Sequence, residues 1–413
     1  MINYSSFVLD NGLKVFVHQD FSTQIAALNI LYNVGSRDED PEMTGFAHLF
    51  EHLMFGGSIN IPSYDTPLQL VGGQNNAFTS PDITNYYITL PVANLETAFW
   101  LESDRMLSLN FNQNSLDIQK KVVIEEFNQR YLNQPYGDAW LHLRPLAYTT
   151  HPYKWATIGK NIEHIENAHL DDVKAFFYKH YLPNNATMVV SGPVDIDLVK
   201  ALSKKWFEPI PAGNVVTRNL PKEPKQIEAR SKFVEADVPH YAIYKVYHSM
   251  GRYDSGFASV DLLSDILGRG KSSLLYEKLV KKNAVFNSIT ASLSPSLDPG
   301  LFVIQGNLRP DVGIEEGNMA IENTISDFLN SDIDTNLLDK VKNQALSSLA
   351  FSEVELLNRT INLAQAVNAG NADFVNEEQA NIMNVIVEDI SLSAVETFDV
   401  NNCSTLFYKS INF

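Results

Sequence analysis

A short pattern, Gly45-Phe46-Ala47-His48-Leu49, returns in the second half of the chain as Gly256-Phe257-Ala258-Ser259-Val260. Two further correspondences keep the same order. The apolar stretch Gln24–Val34 is echoed by Val238–His248, and Leu116-Asp117, which opens one long helical pattern, by Leu338-Asp339. Ordered self-similarity of this kind means that one structural plan is used twice. Between the copies lies a stretch broken by Pro209, Pro211, Gly213, Pro221 and Pro224, residues that interrupt helices and strands and suit a linker. The expected organisation is a first domain at 1–208, a linker at 209–228 and a second domain at 229–413, each copy falling in the usual domain range of about 50–250 residues.

Within the first copy, Ser6–Asp10 and Leu13–Gln19 flank Asn11-Gly12, a turn pair suited to a β-hairpin. Gln24–Val34 reads as a strand. Thr44–Phe55 reads as a helix stopped by Gly56-Gly57. Asn76–Thr79 and Ile83–Leu90 are strands around Ser80-Pro81-Asp82. Leu95–Leu109 and Ser115–Leu132 are long helices, and a helix over Leu170–Tyr181 leads into a strand over Ala186–Ser191. Strands and helices mix without strict alternation, which predicts an α+β fold: two similar domains in tandem, each a mostly antiparallel sheet with helices packed on one side.

Composition removes several alternatives. The 31 Lys and Arg against 49 Asp and Glu leave a formal charge of −18, a poor match to nucleic acid or an anionic membrane, which require basic surface. The lone cysteine, Cys403, excludes an internal disulfide framework and a cysteine-rich metal site. No apolar run approaches the ~20 residues that span a bilayer. The start lacks a basic segment followed by an apolar one. The expectation is a soluble chain in the cytoplasm, or in the periplasm if the N-terminus has been trimmed.

His48-Leu49-Phe50-Glu51-His52 carries the chemistry. On a helix, His48 and His52 share a face at i and i+4, so both imidazoles can reach one Zn²⁺. Glu51 lies on the same side as a candidate base for a water activated by the metal. The order inverts the commoner His-Glu-x-x-His. Phe46, Leu49, Phe50, Leu53, Met54 and Phe55 make the helix apolar nearly all round, so it should be buried, and polar groups on a buried helix need partners. Catalytic zinc usually takes a third protein ligand. Glu125-Glu126 offers one, with Glu126 inward and Glu125 outward if Val122, Val123 and Phe127 mark the buried face. In the second copy Ser259, Leu262, Leu263 and Ser348 stand where His48, Glu51, His52 and Glu126 stand in the first. One metal site per chain follows. His151, His164, His169 and His180 lack ligand spacing and read as loop or helix-surface residues.

These segments resemble the pitrilysin or insulinase family of zinc peptidases, which includes the mitochondrial processing peptidase. The resemblance rests on Leu9-Asp10-Asn11-Gly12-Leu13-Lys14-Val15, Gly45 through Phe55, Asn76-Ala77-Phe78-Thr79-Ser80, Thr84-Asn85-Tyr86-Tyr87, His151-Pro152-Tyr153 and Tyr181-Leu182-Pro183-Asn184-Asn185-Ala186. In the second half it rests on Ser272 through Leu279. It implies Zn²⁺ held by His48, His52 and Glu126, with Glu51 as general base of a zinc endopeptidase acting on peptides or unfolded segments. It also implies an edge strand at Asn76, Ala77, Phe78 and Thr79, which a peptide substrate joins by β-augmentation. The family fold is a pair of similar α+β domains, and two such pairs enclose a peptide chamber.

Two departures stand out. A further acidic position on the zinc-glutamate helix is Gln119. The Arg and Tyr that active members use to hold the substrate carbonyl align with Val280 and Asn287. The resemblance therefore implies a dimer, and a heterodimer if a paralogous partner supplies the Arg/Tyr pair. The alternative is a non-catalytic assembly subunit.

Overall fold

A computed structural model describes residues 1–214 and 217–411. Positions 215 and 216 of the expected linker and 412–413 at the chain end lie outside the described residues. The chain forms two compact units, and each draws on both halves of the sequence. The first comprises Met1–Phe127, Trp155–Leu220 and Phe351–Asn376; the second comprises Asn128–Lys154, Pro221–Ala350 and Glu377–Phe413.

The first unit holds a six-stranded sheet of β1 (Ser5–Val8), β2 (Lys14–Gln19), β3 (Ile25–Tyr32), β4 (Gln74–Thr79), β5 (Thr84–Pro91) and β6 (Ala186–Gly192). Their order is β1-β2-β6-β3-β5-β4. β2 and β6 run parallel and the other neighbours antiparallel. The β1–β2 hairpin turns at Gly12, whose φ of +87° favours glycine. β3 is apolar almost throughout because both of its faces are covered. On one face Leu31 packs with Val189, Leu363, Ala364 and Val367. Tyr32, opposite by strand alternation, meets Tyr86 and Tyr181. The polar exception, Asn29, exchanges amide hydrogen bonds with Asn85 at 2.9 and 2.8 Å.

The second unit holds β7 (Arg230–Ala236), β8 (Ala242–His248), β9 (Phe286–Ser294), β10 (Leu301–Leu308) and β11 (Cys403–Ser410), ordered β7-β11-β8-β10-β9. β7 and β11 are parallel and the rest antiparallel. Without β1, the first sheet has the same order and the same directions. The repeat is thus a repeat of topology. Gly45 and Gly256 enter their helices at φ +91° and +93°. At Gly45 a Cβ would also lie 2.6 Å from the Ile158 carbonyl oxygen.

Helices are exchanged between the halves. Helix Leu356–Asn368, late in the sequence, covers the Leu31–Val189 face of the first sheet. It is tied there by an Arg359–Asp20 ion pair at 2.6 Å. Helix Ala139–Ala147, early in the sequence, covers the second sheet through Ala139, Leu143 and Ala147 against Ala242, Val246 and Leu406. The opposite face of that sheet packs Ile243, Phe302 and Ile304 with Leu263 and Ile266 of helix Phe257–Gly268. Each sheet presents two apolar faces, and the helices local in sequence close one of them.

The proline-rich stretch is anchored within each unit. Arg218 pairs with Asp38 at 2.6 Å, and the Glu223 carboxylate accepts backbone N–H groups of Thr149, Thr150 and His151 at 2.7–2.8 Å. No helix among the described residues is long and apolar enough to cross a membrane. Cys403 is buried and free.

Candidate metal centre

The site belongs to the first unit and starts with helix Phe46–Leu53. Phe46, Leu49, Phe50 and Leu53 are buried. The Phe50 ring stacks on Phe176 and Tyr181 at 5.2 and 5.1 Å, and the Tyr86 hydroxyl donates to its carbonyl oxygen at 3.3 Å. Burial of the apolar faces fixes the rotation of the helix and leaves the polar stripe turned toward helix Gln113–Phe127.

On that stripe His48 and His52 bring their rings to 4.9 Å between centroids. Glu126 reaches them from the neighbouring helix, its Oε2 lying 3.7 Å from His48 Nε2 and 3.3 Å from His52 Nε2. One ligand atom from each of the three lies within 4.8 Å of the others, and no other such trio of His, Cys, Asp or Glu occurs among the described residues. Zinc–nitrogen and zinc–oxygen bonds of about 2.0–2.2 Å in a tetrahedral site put neighbouring ligand atoms about 3.3–3.6 Å apart. The 3.3 Å from Glu126 to His52 falls on that edge, and the 3.7 Å from Glu126 to His48 is close to it. His48 is buried, and His52 and Glu126 are half-buried, so the trio is reachable from solvent on one side.

The inward lean of Glu126 has a different basis from the expected one. Val122 is 43% exposed; the buried stripe is Leu116, Val123 and Phe127. Val122 precedes Val123 by one residue and so points about 100° away on a helix of 3.6 residues per turn. Glu126 flanks the true stripe, while Glu125 is exposed.

Glu51, on the same helix, accepts a hydrogen bond at 2.6 Å from the Thr79 hydroxyl at the end of β4. β4 is the last strand of the sheet, with β5 on one side and no strand on the other among the described residues. Strand alternation puts Ala77 on the Thr79 face, and Asn76 and Phe78 on the opposite one. Phe78 packs there against the cluster holding Leu31 and Leu363.

Several supporting residues have no signature in the sequence. Glu39, in a charged loop, is buried, and its two carboxylate oxygens accept N–H groups of Gly45 and Ala47, each at 2.9 Å. Burial pushes its carboxyl up to about 8, against the pull of those two donors. Arg105 is buried. Its Nε and Nη2 donate to Glu102 at 2.9 and 2.7 Å, and its guanidinium lies 4.3 Å from the Tyr86 ring centroid and 4.7 Å from that of Tyr64. The Tyr64 hydroxyl donates to the same Glu102 at 2.5 Å. Two histidines differ from their surface reading. His151 is buried, and His180 is 1% exposed against Phe176, because the apolar face of helix Leu170–His180 turns it inward.

In the second unit the matching positions hold no ligand. Ser259 donates to the Gly256 carbonyl oxygen at 2.6 Å, Leu262 and Leu263 are core residues, and Ser348 accepts from Arg269 at 2.9 Å. Val280 packs against the core, and Asn287 donates to the Leu308 carbonyl oxygen at 3.1 Å.

A family model described as "Insulinase (Peptidase family M16)" matches residues 14–148, and one described as "Peptidase M16 inactive domain" matches residues 167–345. The zinc protease PqqE of Helicobacter pylori is 31% identical over 98% of this chain and 93% of its own length. The uncharacterized zinc protease YmxG of Bacillus subtilis is 24% identical over 84% of this chain and 83% of its own. The crystal structure of a protease from Helicobacter pylori superposes with a TM-score of 0.92 at 30% identity, covering 99% of this chain and 100% of that one. The chain belongs to the insulinase family of peptidases, family M16.

Proposed function

We propose that this chain is a zinc-dependent endopeptidase for peptides or unfolded segments. We take it to be the zinc-bearing subunit of a dimer whose paralogous partner supplies the Arg and Tyr absent at Val280 and Asn287. The observation that carries the reading is the convergence of His48, His52 and Glu126 beside Glu51, whose carboxylate is tied to the last residue of an edge strand. His48, His52 and Glu126 would hold the ion. Bound there, zinc supplies a Lewis acid that polarises the scissile carbonyl and makes water acidic near neutral pH.

The remaining work falls to the protein. The open edge of β4 offers main-chain groups to an extended substrate and aligns it along Asn76–Thr79. Thr79 fixes one oxygen of Glu51. The carboxylate takes the proton of the attacking water and passes it to the leaving amine, a general acid–base role worth about 10²–10⁴ in rate. The relatives named as zinc proteases support this assignment.

The test pairs metal analysis with cleavage of a fluorogenic peptide. Glu51→Gln should keep its zinc and lose about 10³ in kcat, and full activity in that variant rejects the base assignment. Glu126→Gln should lose zinc affinity, and unchanged metal content rejects it as a ligand. The assay is run with and without a co-expressed paralogous chain. Cleavage only in the mixture supports the split machinery, and full activity of the lone chain rejects it. A second reading, a non-catalytic assembly subunit, draws on Val280 and Asn287 and on the match to an inactive domain. It predicts no cleavage in either arm.

A further inference from the structure

We propose that Glu39 is a positioning residue for the metal-binding helix. It supplies the N-terminal cap that Gly45 cannot, and so sets the placement of His48 and His52 against Glu126. The inference rests on the reading of those three as a metal site, and extends it to a residue outside the motif.

The first N–H groups of any helix lack intrahelical acceptors. Helix Phe46–Leu53 has eight residues, two turns, and its N-cap is a glycine in the left-handed conformation with no side chain to offer. A helix so short gains little from its own hydrogen bonding, so its ends must be held from outside. Glu39 does this from six residues upstream. One carboxylate oxygen takes the N–H of Gly45 and the other that of Ala47, both at 2.9 Å. Two acceptors on one rigid group, two residues apart on the helix, fix its entry point and its first turn. Ala47 is bonded directly to His48.

Glu39 is itself framed. The turn before it is pinned by Arg37–Asp82 at 2.9 Å and by the Trp155 indole N–H on the Ser36 carbonyl oxygen at 2.8 Å. On the other side, Thr44 donates its N–H to His164 Nδ1 at 2.9 Å, and the Lys160 N–H donates to the Thr44 hydroxyl at 2.9 Å.

The second copy supplies the contrast. Helix Phe257–Gly268 starts from Gly256 in the same conformation, yet among the described residues the N–H groups of Gly256 and Ala258 receive no carboxylate. The copy that has lost the metal positions also lacks the external cap. The clamp therefore goes with the ligands and not with the fold.

The test uses the full chain and Glu39→Gln, which keeps the side-chain size but turns an NH₂ group toward one of the two N–H donors. Zinc affinity is read by competition with a chromophoric chelator. Ligand geometry is read from the visible absorption of the cobalt-substituted protein, and folding from circular dichroism and melting. Glu126→Gln reports on the metal site, and Leu363→Ala serves as a variant destabilised away from it. Glu39→Gln should stay folded, bind zinc at least about tenfold more weakly, in the range seen when residues that orient ligands are lost, and shift the cobalt bands. Leu363→Ala should melt earlier with unchanged zinc affinity and bands. Glu39→Gln binding zinc as tightly as the unmodified chain, or no more weakly than Leu363→Ala, overturns the Glu39 assignment alone. If the unmodified chain binds no zinc, or Glu126→Gln binds it equally well, the metal-site reading fails and takes this inference with it.

Discussion

Leu363→Ala tests the exchange of helices most directly. Leu363 is fully buried and packs with Ile2, Leu31, Ile83 and Val189, all of the first unit, although it lies in the second half of the sequence. Truncation removes three carbons, worth about 2.4 kcal/mol at about 0.8 kcal/mol each. The cavity left between helix and sheet adds to this, for a total of about 3–4 kcal/mol. Amide hydrogen exchange read by mass spectrometry locates the loss. Openings of the first sheet become easier by that amount, so exchange in β3 and β6 should accelerate about a hundredfold or more, at tenfold per 1.4 kcal/mol. Exchange in β8 and β11 should stay within about threefold of the unmodified chain, since distant changes seldom couple by more than about 0.5 kcal/mol. Acceleration in β8 and β11 with β3 and β6 unchanged would refute the assignment of this helix to the first sheet. A total loss below about 1 kcal/mol would refute the packing argument.

The remaining expectations concern charge. Burial holds the His180 imidazole at about 4, below its usual 6.5, with Asp38 opposing and Lys179 and Arg218 adding to the depression. The unfolded chain therefore binds the extra proton first. The stability is fully present above pH 6.5 and is lost as pH falls toward 4, by about 3 kcal/mol at about 1.36 kcal/mol per pKa unit. Urea unfolding across that window should show this slope, and His180→Gln should lack it; equal slopes in both proteins would contradict the burial account. Arg105→Met leaves Glu102 buried without its cation and should cost about 3–5 kcal/mol. Adding Glu102→Gln should recover much of that loss in the double variant, and simple additivity of the two losses would show that the pair is not coupled.

What the sequence makes legible depends on how locally each feature is written. The histidine pair is local: two imidazoles four residues apart share a face as soon as the segment is helical. The topology of the two sheets is foreshadowed by Gly-Phe-Ala and Leu-Asp, because the repeat preserves the helix-entry glycine and the apolar strands. Glu126 is half-legible. Its face follows from periodicity, but Val122 and Val123 are adjacent and apolar alike, and only packing shows which is buried. Glu39 and the Thr79–Glu51 contact are not legible, since each joins separate segments through space. Arg105 carries no local signature either, since the rings of Tyr64 and Tyr86 that close over it come from other segments. Likewise, nothing local in Leu356–Asn368 names the sheet against which Leu363, Ala364 and Val367 are buried.

That last point bears on synthesis. Translation delivers the chain from its N-terminus, and domains usually fold as they emerge. The first sheet here is complete in strands once Gly192 is made, yet one of its faces waits for Leu363, Ala364 and Val367. Until then Leu31, Val189 and their neighbours remain an apolar surface open to water, and helix Ala139–Ala147 has no sheet to lie on before β8 and β11 are made. Each unit therefore stays half-finished until a segment made much later in the sequence reaches it. Apolar surface exposed in this way makes such an intermediate prone to aggregation.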